Sequence, residues 1–342
     1  MTVTCADLPE SVSAELCTPK GPGSGPSWKP GKGRVCEVRN QDLSRRRLLA
    51  GSSAAVAGAL LVPSSWRAAA HPQRRALTTA STPVIGATVT PSAYQLTSWL
   101  QTAHRFDSYV GLPLATSAQK IFLTEGQYYT DPLPVHITSL ANAGCQFIVC
   151  VYPSRTTDES AKLKAFLHLL NSKGIVYQAA LVNEWNTHDK FATPQAYLTY
   201  WKHYAPVIKN AGVTLCNLVC ASSNKAAYAK IQPGFPTNPL PDRYWIDYYA
   251  QGYRWNVRLD TSGGLIDQAD SHGVPTGIAE FGIGAGFAPP ISEWDAFCGY
   301  LAGLAPRLPN GCLYWGCVGE DIVTGPNDPK VPGIRQVIGA FP

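Results

Sequence analysis

Tyr177-Gln178-Ala179-Ala180-Leu181-Val182-Asn183-Glu184-Trp185-Asn186 and Thr276-Gly277-Ile278-Ala279-Glu280-Phe281-Gly282 follow one pattern: an apolar run the length of a buried strand, then an acidic residue near its carboxyl end. The two glutamates stand 96 positions apart, so only closure of the fold can bring them together. Outward from these stretches, further apolar, β-branched runs predict strands over 84–89, 120–123, 145–152, 213–220, 244–250 and 312–315, in addition to 176–183 and 276–281. Helical patterns fall between them, most clearly over 160–171, 194–210 and 292–304. Gly144, Gly174 and Gly212 each stop a helix just before the next strand, and Thr193-Pro194 reads as a cap and first-turn pair. Eight strands alternating with helices over 81–342 make an α/β chain close to the roughly 250 residues of a single (β/α)8 TIM barrel. A doubly wound open sheet shares the alternation. No G-x-G-x-x-G or G-x-x-x-x-G-K-[ST] follows a strand, so its nucleotide-binding versions would lack a phosphate loop.

The chain has 342 residues, 45% of them hydrophobic and 15% charged, enough apolar material for a large core. Its formal charge of +5 is concentrated at one end. The first 70 residues hold 9 of the 28 Lys/Arg and 5 of the 23 Asp/Glu, leaving 19 against 18 in the body. That body lacks the basic field that dominates nucleic-acid affinity, so an uncharged or locally recognised partner is expected and nucleic acid is not.

Ser44-Arg45-Arg46-Arg47-Leu48-Leu49 precedes an apolar, small-residue run over 50–62, and Ala68-Ala69-Ala70 offers an A-x-A cleavage site. These three parts in order read as an export signal over 44–70, with the paired arginines pointing to the twin-arginine machinery as a partner. An uncleaved anchor, or an amphipathic helix of a soluble chain, is the alternative. Residues 1–43, rich in Gly, Pro and Ser, read as a disordered extension or as sequence upstream of the true start, and 71–80 as a linker. A secreted or extracytoplasmic monomer, without stable membrane association after cleavage, is expected. Seven of the ten cysteines lie in the barrel region: Cys145, Cys150, Cys216, Cys220, Cys298, Cys312 and Cys317. An odd number leaves at least one unpaired, no C-x-x-C supports zinc, and several sit in strand runs where cysteine acts as a small hydrophobe.

In a barrel the chemistry belongs at the carboxyl ends of the strands, where Glu184 and Glu280 fall. Two carboxylates are the minimum for cleaving a glycosidic bond, one protonating the leaving oxygen and the other acting as nucleophile or base. Here the chain resembles the clan A retaining glycoside hydrolases: Asn183-Glu184 after strand four, Glu280 after strand seven and an aromatic, Trp315, on strand eight match that pattern over roughly 81–342. The resemblance implies Glu184 as general acid/base, Glu280 as nucleophile and Asn183 as partner of the sugar 2-hydroxyl. It also implies an oligo- or polysaccharide substrate with β linkages. Two features depart from the pattern. Trp185 stands where many members carry Pro, and the arginine that often supports the nucleophile has no clear match, Arg155 being a candidate.

Trp185, beside Glu184, is a candidate for desolvating it and for contacting substrate. Trp315 reads either as a sugar platform or as barrel core. Tyr249 and Tyr253, in an unusually aromatic strand six and just beyond it, are candidates to bind substrate or to donate to Glu280; packing is the alternative. Glu125, Gln127, Ser222, Asn224, Glu320 and Asp321 are further polar residues at strand ends, while His104, His188 and His272 lack metal-ligand spacing. The proposed chemistry needs no metal or organic cofactor. A catalytically inactive carbohydrate-binding barrel is the competing reading. A serine esterase or zinc protease lacks its G-x-S-x-G or H-E-x-x-H.

Overall fold

The structure, a computed structural model, describes residues 82–342 apart from 188–189, 223, 251–257, 285–288 and 318. The expected extension, export segment and linker lie outside the described residues, as do His188 and Tyr253. Eight strands follow one another: β1 (Val84–Thr88), β2 (Ala118–Phe122), β3 (Gln146–Val151), β4 (Tyr177–Leu181), β5 (Leu215–Cys220), β6 (Arg243–Tyr249), β7 (Thr276–Gly282) and β8 (Gly311–Trp315). Each leads into a helix: α1 (Trp99–Val110), α2 (Val135–Asn142), α3 (Ser160–Ser172), α4 (Pro194–Asn210), α5 (Lys225–Ala229), α6 (Leu265–Ser271), α7 (Ile291–Leu304) and α8 (Val331–Gly339). Among the described residues no helix is long and apolar enough to cross a membrane.

The helices form where the residue pattern lets them. In α4, Tyr197, Tyr200, Trp201, Tyr204 and Ile208 recur at helical spacing and are buried against the sheet. The helix starts where the Thr193 side chain accepts from Ala196 N, ahead of Pro194. Gly144, Gly174 and Gly212 take positive φ just before β3, β4 and β5, as a helix stop requires.

All pairings are parallel, in the order β1-β8-β7-β6-β5-β4-β3-β2. The ends of that order, β1 and β2, meet to make a nearly closed (β/α)8 barrel. Lys120 N donates to Thr88 Oγ1 at 2.9 Å across the seam. Gly86 approaches β2 so closely that a Cβ there would lie 2.2 Å from the Ala118 carbonyl oxygen. Alternation then sorts the strand side chains into two cores. One lies between sheet and helices; the other fills the barrel and includes Ile148, Cys150, Ala180, Leu218 and Trp245. Trp245 plugs the interior, its indole donating to Gln178 Oε1 at 3.0 Å so that no polar atom of the ring is wasted. Burying a side chain of this kind stabilises by roughly 2–3 kcal/mol.

Candidate active site

The interior ceases to be apolar near the carboxyl ends of the strands. On β6, Trp245, Asp247 and Tyr249 alternate inward while Tyr244, Ile246 and Tyr248 pack outward against the helices. On β7 the alternation breaks. The register runs Ile246↔Ile278 and then Asp247↔Glu280, leaving Ala279 as an extra residue, a β-bulge. Ala279 and Glu280 therefore both face inward, and Phe281 returns to the outer layer. Without the bulge Glu280 would share the outward face of Ile278.

Lys120, from the middle of β2, reaches across the barrel to this pair. Its Nζ lies 2.9 and 3.1 Å from the two Asp247 oxygens and 2.5 Å from Glu280 Oε1, and the side chain has no exposed surface. Burial opposes the ammonium's charge, but Asp247 and Glu280 outweigh it and push its pKa up. The Asp247 carboxyl is also pushed up, by burial and by Glu280 against the opposing pull of Lys120. Burial raises Glu280 as well, with Lys120 pulling down and the charge of Glu184 pushing up again. The Tyr249 hydroxyl donates to Glu280 Oε2. Burial and Glu280 drive the Tyr249 pKa far up, so it remains a donor.

Glu184 comes from the turn after β4. Val182 (φ 65°) and Glu184 (φ 44°) both occupy the left-handed region, which costs a non-glycine residue about 1–2 kcal/mol each. The surrounding contacts hold the turn in place. The Asn186 side chain accepts from Cys220 N and donates to Cys220 O, both at 2.9 Å, tying the turn to the end of β5. Thr187 N donates to Glu184 O at 2.9 Å, and Lys190 Nζ to Asn183 O at 2.8 Å. The Cys220 thiol, its pKa raised by burial and by the Glu184 charge, hydrogen-bonds the Glu184 carboxylate. Thr187 Oγ1 lies 3.4 Å from Glu184 Oε2. Glu184, Asp247 and Glu280 each bring one oxygen within 4.8 Å of the other two, an array able to hold a cation. Here the Lys120 ammonium takes the place between two of them.

The structure thus brings together Glu184, Glu280 and Tyr249. Asn183 joins them at the rim, nearly buried, its Oδ1 3.9 Å from the Cys150 thiol. Trp315 stands half-buried at the end of β8, edge-on to Phe122 with ring centroids 5.7 Å apart. Trp185 is a correction. Its ring has no exposed surface, stacks on Tyr197 at 4.1 Å and 2°, and lies where a Cβ on Gly234 would collide with it. The left-handed turns carry the indole into the layer between sheet and helices, away from any substrate. Arg155 is the second correction: exposed, it pairs with Glu125 at 3.1 Å and donates to the Lys190 carbonyl, so it does not support Glu280.

Most other polar candidates are structural. Ser222 Oγ accepts from Tyr249 N at 2.6 Å, Asn224 caps α5, and buried Asp321 accepts from Ile283 N and, at 3.0 Å, Gly284 N. The sequence reading gives no role to Lys120 or Asp247, and takes Cys220 only as a barrel-region cysteine. The available signal was a charged residue inside an apolar strand, Lys120 in Ala118-Gln119-Lys120-Ile121-Phe122 and Asp247 in Tyr244-Trp245-Ile246-Asp247-Tyr248.

No family model matches the chain, and no curated protein does. Among solved structures it is similar to a Bacillus subtilis mannanase, with a TM-score of 0.48 and 14% identity over 74% of this chain and 82% of that one. A second Bacillus subtilis mannanase gives 0.48 and 12% over 75% and 85%. An endo-β-1,3-glucanase of Amycolatopsis mediterranei, in complex with laminaripentaose, gives 0.44 and 12% over 74% and 98%. Likeness of this degree decides neither substrate nor mechanism, which rest on the geometry of the site.

Proposed function

We propose that this chain is a glycoside hydrolase that cleaves β-linked oligo- or polysaccharide by a retaining double displacement. The observation that carries the proposal is the opposition of Glu184 and Glu280 at the mouth of the barrel, with carboxylate oxygens within 4.8 Å. Retaining pairs stand about 5 to 5.5 Å apart, whereas inverting pairs stand ~6.5 to 9.5 Å apart to admit a water between them. The β linkage rests on the likeness of Asn183-Glu184 and Glu280 to the clan A pattern.

In this mechanism a Glu280 oxygen attacks the anomeric carbon. The bond to the leaving oxygen breaks with its electron pair, and Glu184 gives that oxygen its proton. Glu280 is now a neutral ester, so Glu184, having lost its proton, serves as base. Water attacks the anomeric carbon and yields its proton to Glu184, and the ester electrons return to Glu280. Lys120 and Tyr249 stabilise the nucleophile as a carboxylate before attack and as a leaving group afterwards. In this reading Asn183 binds the sugar 2-hydroxyl, the role that the clan A resemblance implies, and Trp315 stacks on a sugar face.

A polysaccharide screen followed by NMR of the first product anomer tests the reading. Release of the β-anomer is expected, and inversion or inactivity across the panel contradicts it. Glu280→Gln is expected to abolish turnover while leaving the fold intact. With an activated aryl glycoside, Glu184→Ala should regain turnover on adding azide, which replaces the water that needs a base. Export through the twin-arginine route is part of the same proposal, on the strength of Arg45-Arg46 and the apolar run after them. Replacing both arginines by lysine should leave the protein in the cytoplasmic fraction; unchanged export would refute that route.

A further inference from the structure

The barrel mouth contains a carboxylate that the double displacement does not use. Asp247 has no exposed surface, stands in register with Glu280 and binds Lys120 through both oxygens, at 2.9 and 3.1 Å. A buried ammonium with one carboxylate would already be paired. A second carboxylate beside the first adds repulsion between like charges, so its presence requires a reason.

That reason emerges when the charges are followed through the reaction. Before attack, Lys120 faces Glu280 and Asp247. Once Glu280 is esterified its negative charge is gone, and a lysine relying on Glu280 alone would be a buried cation without a counter-ion. Removing one partner of a buried pair is strongly unfavourable, because the remaining charge is neither solvated nor matched. We infer that Asp247 is a positioning residue, the standing counter-ion that keeps the Lys120 ammonium paired and in place while Glu280 is held as the glycosyl ester. This inference rests on the retaining mechanism proposed above. Asp247 touches neither sugar nor reacting atoms in this role; it acts through Lys120.

Among the described residues, the thiols and the tyrosine hydroxyl that face this pair do not supply the missing charge. Burial raises the thiols of Cys150, Cys220 and Cys317 and the hydroxyl of Tyr249, so all four are neutral over the working pH range. Glu184 is bound by Cys220 and Thr187 on the far side of the gap. Among the described residues, Asp247 is the carboxylate that the reaction leaves in contact with Lys120.

The test uses the full chain and begins with stability rather than activity. Glu280→Gln stands in for the neutral ester. Glu280→Gln and Asp247→Asn each leave Lys120 one carboxylate, whereas the double variant leaves it none. The double variant's melting temperature is expected to fall by at least about 6 °C more than the two single losses combined. If it fails to fold at all, adding Lys120→Met should restore folding by removing the orphaned cation. Additive losses, or failure of Lys120→Met to restore the fold, overturn the inference whether or not a substrate has been found.

The kinetic arm uses an activated aryl β-glycoside. Asp247→Asn is expected to lower kcat/KM about 100-fold and to abolish any pre-steady-state burst, because forming the ester becomes the difficult step. Its acid limb should move to lower pH, since Glu280 then has Lys120 to itself and loses a negative neighbour. A role in packing alone, with no charge felt at Glu280, would leave that limb in place. An unmoved limb with an intact burst contradicts the inference, whereas a wild-type protein inactive on every glycan removes the hydrolase reading itself.

Discussion

A lysine with no exposed side-chain surface is rare, because an ammonium loses more on leaving water than packing returns unless carboxylates meet it. Lys120 meets two, and its contact with Glu280 at 2.5 Å is the strongest electrostatic constraint on the proposed nucleophile. Lys120→Met should therefore lower kcat/KM by roughly 100-fold or more. The sign of its pH effect is fixed by what is lost. Lys120 pulls the Glu280 carboxyl down, so without it the carboxylate forms only at higher pH and the acid limb must move upward. An unchanged limb would remove Lys120 from the mechanism. Lys120 was hard to find in the sequence because Ala118-Gln119 reads as a weak strand start, which places the lysine at the edge of a strand over 120–123. In the structure the strand begins at Ala118, and its third residue faces the barrel interior. Glu184 and Glu280 were legible for the opposite reason: each directly follows an apolar run, where a barrel places its chemistry.

At the scale of elements, all eight strands were legible, since a strand buried on both faces reads as a short continuous apolar run. Less legible were the points where regular alternation fails. The bulge at Ala279 gives two successive residues the same facing, and the left-handed turns at Val182 and Glu184 send Trp185 outward; neither leaves a period in the sequence. The asymmetric packing beneath the site makes a separate prediction. A Cβ at Gly277 would lie 2.5 Å from the Trp245 ring and 2.7 Å from Asn310 Cβ, both of which are fully buried. Gly277→Ala should cost about 1–3 kcal/mol in chemical denaturation. Adding Trp245→Phe should recover part of that loss, because the smaller ring vacates the contested volume. Strictly additive losses would mean the two residues do not meet as described.

For the whole molecule, the seven cysteines among the described residues are all buried and none of them forms a disulfide with another. An odd cysteine count by itself leaves the pairing open. Stability should depend on pH through Asp321, which burial, against the pull of the Ile283 and Gly284 amides, pushes up to about 7. A carboxyl raised in the folded state binds its proton more tightly there than in the unfolded chain. Its contribution is therefore complete below about pH 4 and is lost as pH rises towards 7, at no more than about 1.4 kcal/mol per pH unit. The stability advantage of the wild type over Asp321→Asn should shrink between pH 4 and 8; a constant difference would contradict this. Opposed glutamates acting by double displacement should trap a glycosyl ester, which mass spectrometry detects after incubation with a 2-deoxy-2-fluoro β-glycoside carrying an activated leaving group. A single glycosyl unit on the peptide containing Glu280, absent from Glu280→Gln, is the expected result. An adduct on another residue, or products of inverted configuration with no adduct at all, would contradict it.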